Sequence, residues 1–139
     1  MDDIFNRDEM FYRIAHINND KVEKKENVLK DMKKIENPNF QDSQGTSYLH
    51  MACQSHCIEA VTILLEKGAN PNIDDNRGMS PIMKAVSSRN ENNCAILEIM
   101  LEHGLDLCKQ ERNMTLKDKI ESFKDEKLNN VIKTYCGHQ

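Results

Sequence analysis

The sequence contains no tryptophan, and its 139 residues include only five glycines and three prolines. Low-complexity disordered chains are rich in glycine and proline, so the scarcity of these two residues argues against that class. Long apolar runs are also absent: the longest, residues 60–65, is interrupted by Thr62 and is far too short to cross a bilayer. Residues 1–5 carry neither a basic region nor an apolar stretch, so we expect no signal peptide.

Charge of one sign is never concentrated. The chain has 19 basic and 23 acidic residues and a net charge of −4, and acidic residues interleave with the lysines between Lys21 and Lys34. A phosphate-binding surface needs a basic stripe, so we expect no binding to nucleic acid. The five cysteines are odd in number and lack paired spacing, which predicts reduced thiols and a cytoplasmic protein.

Two segments of the chain repeat each other. Residues 45–52 (GTSYLHMA) and 78–85 (GMSPIMKA) begin 33 positions apart (78 − 45), and the preceding runs 37–42 (NPNFQD) and 70–75 (NPNIDD) keep the same spacing. A fixed period of this size predicts stacked supersecondary units. Such stacks mostly present surfaces, so the period also favours a non-catalytic binding role.

Each unit reads as two helices. In the first clear copy Gly45 suits a tight turn, Ser47 is a good N-cap, and Gly68 is placed to end the second helix. Apolar residues at helical spacing define the inner faces of the two helices: Leu49, Ala52 and Cys53 in the first, and Ile58, Val61, Leu64 and Leu65 in the second.

The second copy follows the same rules, with Ser80 as N-cap and Pro81 at the first helical position. Its apolar stripes are Ile82, Ala85 and Val86, then Cys94, Leu97, Met100 and Leu101. The second stripe is offset by 36 residues rather than 33, so three extra residues fall within 87–93. We expect a longer connection or an added helical turn there.

The flanks are degenerate versions of the unit, with Thr115 as the last predicted N-cap. Their stripes are Met10, Phe11, Ile14 and Ile17; Val28, Met32 and Ile35; Leu116, Ile120 and Phe123; and Leu128, Val131, Ile132 and Tyr135. The chain is therefore predicted to be one all-α domain, 1–139, of four helix pairs at approximately 1–40, 41–73, 74–109 and 110–139. Atypical end units shield the open ends of a stack, so we expect the array to be complete.

The repeated phrase resembles the ankyrin repeat, whose pattern is Gly-x-Thr-Pro-Leu-His-x-Ala followed by Leu-Leu-x-x-Gly-Ala-Asp/Asn-x-Asn. Residues 45–52 and 64–72 carry it, and 78–85 with 100–106 carry a second copy. The chain departs from it at Tyr48, Met83 and Cys108. The resemblance implies an α-solenoid joined by hairpin loops, and for His50 a structural hydrogen-bonding role that Met83 cannot perform.

The resemblance also implies a partner-binding surface on the hairpin tips and the concave face of the first helices. The residues at these positions are Gln41, Ser43, Gln44, Thr46, Gln54, Ser55, Asp74, Asn76, Arg77, Met79, Ser87, Ser88, Gln110 and Arg112. Arg77 and Met79 are favoured as contacts, because arginine and methionine are enriched at interfaces. Phe40 and Tyr48 are the aromatic candidates.

The expected function is a monomeric protein-interaction module without catalysis, cofactor or metal. Its partner would be another protein with a basic or mixed surface, given the acidic balance of the chain. Two forms of this role are open: a regulatory or toxin-neutralising partner, and an adaptor that attaches to a larger enzyme.

The alternative is a metal- or thiol-dependent site. His50, Cys53 and Cys57 recur at i, i+3 and i+7 and would project to one side of a helix. Zinc requires convergent deprotonated ligands of this kind. The structural explanation is that Cys53 fills a position that needs a small buried residue.

Overall fold

Residues 6–136 are described by a computed structural model, and within them the chain forms eight helices and one short β-hairpin. The helices are α1 (Arg7–Ala15), α2 (Lys25–Met32), α3 (Tyr48–Gln54), α4 (Ile58–Glu66), α5 (Pro81–Val86), α6 (Asn93–Glu102), α7 (Leu116–Glu121) and α8 (Glu126–Cys136), and the antiparallel strands are β1 (Gln110–Glu111) and β2 (Met114–Thr115). The expectation of no signal peptide concerns residues 1–5, which lie outside this range. None of the described helices combines the length and apolarity needed to cross a membrane.

The helices are arranged in antiparallel pairs that stack side by side. The inner helices α1, α3 and α5 pack in one row, and the outer helices α2, α4, α6 and α8 pack in a second row. Within each pair, the two helices contact each other. The predicted all-α solenoid is confirmed, while the unit boundaries proposed from the sequence stay a prediction.

Buried apolar residues form the shared seam between the inner helices α3 and α5. Leu49 and Ala52 of α3, and Ile82 and Ala85 of α5, are completely buried. These four residues belong to the stripes predicted from the sequence, so the apolar spacing placed this seam correctly. The stripe prediction was wrong at Phe123, which is 38% exposed. The reason is that α7 ends at Glu121, so position 123 no longer follows the helical period.

The three extra residues of the second copy extend a connection. Only residues 55–57 separate α3 from α4, whereas residues 87–92 separate α5 from α6. The first of the two sequence-based alternatives, a longer loop, is therefore confirmed.

An aromatic cluster joins the first two inner helices. The rings of Phe11 and Tyr48 are stacked at 4.7 Å between centroids, and Phe40 lies about 6 Å from both (6.1 and 6.2 Å). Tyr48 is only 1% exposed, and Phe40 packs against the core. These two aromatics therefore serve the interior, and the expectation that Tyr48 is available to a partner was wrong.

His50 links one unit to the next. Its Nδ1 accepts the backbone N–H of Ser47 at 3.1 Å, and its Nε2 lies 2.9 Å from the carbonyl oxygen of Met79. Because a backbone N–H can only donate, the ring is the neutral tautomer that carries its proton on Nε2 and donates to Met79. Ser47 Oγ accepts the N–H of His50 in return, so a capping box begins α3. The bonding role implied for His50 is confirmed.

At the next interface a carboxylate replaces the histidine. Ser80 occupies the N-cap position of α5, as expected, but its side chain makes no capping hydrogen bond. Instead its buried N–H donates to Glu111 Oε2 at 3.0 Å, and Lys109 and Lys119 lie 3.5 and 4.0 Å from the same carboxylate. Met83 stands at the position of His50 in this unit and cannot accept the hydrogen bond. Glu111, which comes from the next hairpin, supplies the acceptor instead.

We expect Leu64→Ala to lower the free energy of unfolding by about 2–5 kcal/mol, because it removes a completely buried side chain and leaves a cavity. Chemical denaturation monitored by circular dichroism measures the change. The exposed Glu66→Ala on the same helix is the matched control. A loss below about 1 kcal/mol would contradict the shared apolar seam.

We expect His50→Gln to reduce the dependence of stability on pH. Burial lowers the pKa of His50 below its ordinary 6.5, so the unfolded chain takes up a proton before the folded chain does. The contribution of His50 is complete above about pH 6.5 and is lost progressively as the pH falls towards the lowered pKa. Denaturation curves of both proteins from pH 5 to 8 test this. If the free energy of unfolding changed with pH equally in both proteins, His50 would not be a neutral buried ring.

We expect Glu111→Ala to loosen the last unit by about 1–3 kcal/mol, because the N–H of Ser80 is left buried without an acceptor. Amide hydrogen exchange should accelerate in α5 and α7 while α3 keeps its protection. Glu121→Ala removes a carboxylate from a partly exposed pair with Lys117 and should change little. Equal effects of the two variants would show that Glu111 has no special role.

Candidate functional site

Three hairpins lie in sequence immediately before the helices α3, α5 and α7. We call them the first (41–47), second (74–80) and third (109–115) hairpins. In the first, the N–H of Asp42 donates to the carbonyl oxygen of Thr46, and Asp42 Oδ1 accepts the N–H groups of Gln44 and Thr46 at 2.8 and 3.0 Å. A single carboxylate thus closes the turn.

The second hairpin repeats this construction with Asp75. Its Oδ1 accepts the N–H groups of Arg77 and Met79 at 2.8 and 3.0 Å. Burial acts to raise the pKa of Asp75, but the N–H groups of Met79 and Arg77, with the nearby His50 and Lys84, hold that pKa below its ordinary value. The carboxylate is therefore ionised, and it is committed to its own turn.

The first two hairpins bind each other directly. The backbone N–H and the side-chain amide of Asn76 donate to the carbonyl oxygens of Gln44 and Ser43 at 3.0 and 2.9 Å. Gln41 donates to the carbonyl oxygen of Asp74 at 2.8 Å. Gly45 allows this approach, since a Cβ there would lie 2.6 Å from the nitrogen of Asn76. The two hairpins therefore form one rigid surface.

The third hairpin is built differently because Gln110 stands where the others have aspartate. Its strands pair Gln110 with Thr115 and Glu111 with Met114, and Arg112 adopts a φ of +65° at the turn. An ion pair between Lys109 and Asp74 joins it to the second hairpin. Lys109 thus joins the second and third hairpins, as the amide groups of Gln41 and Asn76 join the first and second.

Asparagine side chains connect the bases of the hairpins. Asn39 donates to the carbonyl oxygen of Gly68 and accepts the N–H of Asn70 at 2.7 Å. One period later Asn72 does the same with Gly104 and Asp106. Cys108 occupies the next equivalent position and is exposed.

The predicted site residues divide into exposed and half-buried groups. The exposed ones are Gln41, Ser43, Gln44, Gln54, Asp74, Asn76, Arg77, Ser87, Ser88, Gln110 and Arg112, and the half-buried ones are Thr46, Ser55 and Met79. The structure brings the residues of the first two hairpins together through the bonds described above. Gln54, Ser55, Ser87 and Ser88 instead lie at the ends of α3 and α5 remote from the hairpins.

Two of the half-buried residues serve the interior. The hydroxyl of Ser55 donates to the carbonyl oxygen of Ile14 at 2.8 Å, so it ties α3 to α1 and is not an exposed concave position as expected. The side chain of Met79 packs against the core, and its carbonyl oxygen binds His50. Met79 is therefore a weaker candidate for a partner contact than the sequence suggested.

Sequence reasoning missed four of the residues that hold the hairpins together, namely Asn39, Asn72, Lys109 and Glu111. It named Asn76 as a partner contact and did not foresee its bonds between the hairpins. Asn39 and Asn72 occupy the same place in the two repeated runs, and this spacing could have indicated a shared bonding role. Lys109 and Glu111 carry no sequence signal, since they act in a unit that has lost the repeat pattern.

The alternative metal site is not formed. No group of three or more His, Cys, Asp or Glu side chains suited to a metal ion occurs among residues 6–136. Complete burial raises the pKa of the Cys53 thiol, and burial also raises that of Cys57, whereas metal binding needs thiolates. Both ring nitrogens of His50 are already hydrogen-bonded. All five cysteines, which lie within the described part of the chain, are free.

Concavities away from the hairpins offer little chemistry. An open cavity of about 700 Å³ lies between the α5–α6 and α7–α8 connections, and its lining mixes basic and acidic side chains: Arg89, Asn90, Glu91, Asn93, Cys94, Lys124, Asp125, Glu126 and Lys127. It contains no histidine or hydroxyl group beside Cys94, so it does not assemble a nucleophile with its base.

Comparison with known proteins agrees with this architecture. A family model of ankyrin repeats (3 copies) matches residues 16–111. A segment covering 45% of the chain is 37% identical over 62 residues to Transient receptor potential cation channel subfamily A member 1 of Homo sapiens, and it spans 5% of that protein. Another, covering 46% of the chain, is 35% identical over 65 residues to the B-cell lymphoma 3 protein homolog of Mus musculus and spans 14% of it.

The matched family region takes in the first two hairpins, the start of the third and the helices α2 to α6, where the stacked pairs and the hydrogen-bonded turns were found. The chain therefore belongs to the ankyrin-repeat family, whose stacked helix pairs are protein–protein interaction modules.

Proposed function

We propose that this protein binds one protein partner through its hairpin tips and does not catalyse a reaction. One observation carries the proposal: internal hydrogen bonds fix the hairpins side by side but leave the side chains at their tips exposed. Gln44, Arg77 and Arg112 occupy equivalent turn positions in the three hairpins, and all three are exposed.

Rigidity makes this surface suited to binding. Asp42 and Asp75 close their turns, and Asn76 and Lys109 join neighbouring hairpins. A surface that is already ordered loses little conformational entropy on association, so more of the contact energy appears as affinity. Gln54, Ser87 and Ser88 extend the exposed polar area along the inner helices and are proposed as additional contacts.

The remaining parts of the proposal follow from this role. The protein acts as a monomer in the cytoplasm, where its five free cysteines stay reduced. Two forms of this role are proposed as alternatives. One is a regulatory or toxin-neutralising partner, which covers the surface of its target, and the other is an adaptor that attaches to a larger enzyme. Both require the same hairpin surface.

We expect a photoreactive amino acid at Gln44 to cross-link to a discrete protein in native lysate, because this side chain projects from a fixed turn. The cross-linked product is identified by mass spectrometry. The same amino acid at Glu66, exposed on the outer helix α4, is the control and should give no such product. Equal labelling from both positions, or a product from Glu66 alone, would refute the placement of the surface.

A further inference from the structure

The tips of the second and third hairpins carry two arginines without a carboxylate partner. Arg77 and Arg112 are exposed, and within residues 6–136 the ion pairs of these hairpins are made by Lys84, Lys109 and Lys119 rather than by either arginine. The two arginines are neighbours, since a guanidinium nitrogen of Arg112 lies 3.5 Å from the carbonyl oxygen of Arg77. Their charge is therefore available to another molecule.

The acidic groups of the three hairpins are already engaged. Asp42 and Asp75 accept the N–H groups of their own turns, and Asp74 pairs with Lys109. The fourth carboxylate, Glu111, is buried, where it accepts the N–H of Ser80 and lies near two lysines. Arg77 and Arg112 are thus the two basic side chains of these described hairpins that form no ion pair, although the whole chain has a net charge of −4.

We infer that the segment of the partner that meets the hairpins is acidic, and that its carboxylates pair with Arg77 and Arg112. This inference rests on the proposed function and adds the chemistry of the partner. A guanidinium offers a planar pair of N–H donors that match the two oxygens of a carboxylate. Overall composition favours a basic or mixed partner surface, whereas the two arginines without an ion pair favour an acidic segment at the hairpins.

A nucleic acid fits the same surface less well. Phosphate backbones are bound by continuous rows of basic side chains. Here two arginines stand among four carboxylates, and Gln44 occupies the equivalent tip of the first hairpin. A short acidic peptide segment can place one or two carboxylates on the arginines and avoid the aspartates, whereas a regularly charged strand cannot.

Selection of short random peptides on phage by the purified full chain tests the inference. We expect the enriched peptides to be rich in aspartate and glutamate. Arg77→Glu combined with Arg112→Glu should weaken their binding by about tenfold or more, since opposite charges become like charges. Arg89→Glu is the matched control, because Arg89 is also exposed but lies in the α5–α6 connection. Thermal melts should be unchanged, as these side chains make no buried contact.

A second variant separates this inference from the proposed function. Gln44→Trp adds bulk to the first hairpin without changing charge, so it reports whether a selected peptide occupies the hairpins at all. Non-acidic peptides that are sensitive to Gln44→Trp would overturn the inference and leave the proposed function standing. Peptides insensitive to every hairpin change, or no enriched peptide, would count against both.

The same proteins are titrated with a single-stranded DNA oligonucleotide. We expect weak binding that is the same for the unaltered chain and for the Arg77→Glu, Arg112→Glu variant. Tight binding that disappears in the Arg77→Glu, Arg112→Glu variant would show that the arginines recognise phosphate, and it would overturn the acidic-peptide inference.

Discussion

Every helix within residues 6–136 is too short to persist without its neighbours. The eight helices contain between six and eleven residues, and isolated helices of that length are marginal in water. They are held by the apolar faces that they share with adjacent pairs, as at Leu49 and Ile82 on α3 and α5. The hairpins depend on this seam in turn, because each one is positioned by the inner helix that follows it.

Burial alone does not determine how neighbouring units are aligned. The N-terminal N–H groups of the inner helices need acceptors, and these acceptors link one unit to the next. At the first interface His50 accepts from the cap and donates to the next hairpin, and at the second Glu111 reaches back from the next hairpin to Ser80. Two chemically different groups thus accept the equivalent N–H group, since a buried N–H without an acceptor is costly in either place.

This internal bonding also determines which basic side chains at the hairpins are left without a carboxylate partner in the described part of the chain. A count of charged residues describes the chain as acidic, but the hairpin carboxylates are engaged in turns and ion pairs while Arg77 and Arg112 remain exposed. The carboxylates of the hairpins therefore serve the interior of the repeat. Under the proposed function, the exposed side chains at the tips are the ones that meet a partner.

The amino-acid sequence by itself determined the repeat, the fold class and the capping roles of Ser47 and Thr115, because each depends on local spacing. The resemblance to the ankyrin repeat implied the bonding role of His50, and tertiary structure supplied its acceptor, the carbonyl oxygen of Met79, 29 residues away. Tertiary structure alone decided that Tyr48 is buried, that Ser55 and Met79 serve the interior and that Glu111 caps a helix from another unit. The physical reason is distance along the chain: Glu111 and Ser80 are 31 residues apart, and no local pattern records which distant groups folding brings together.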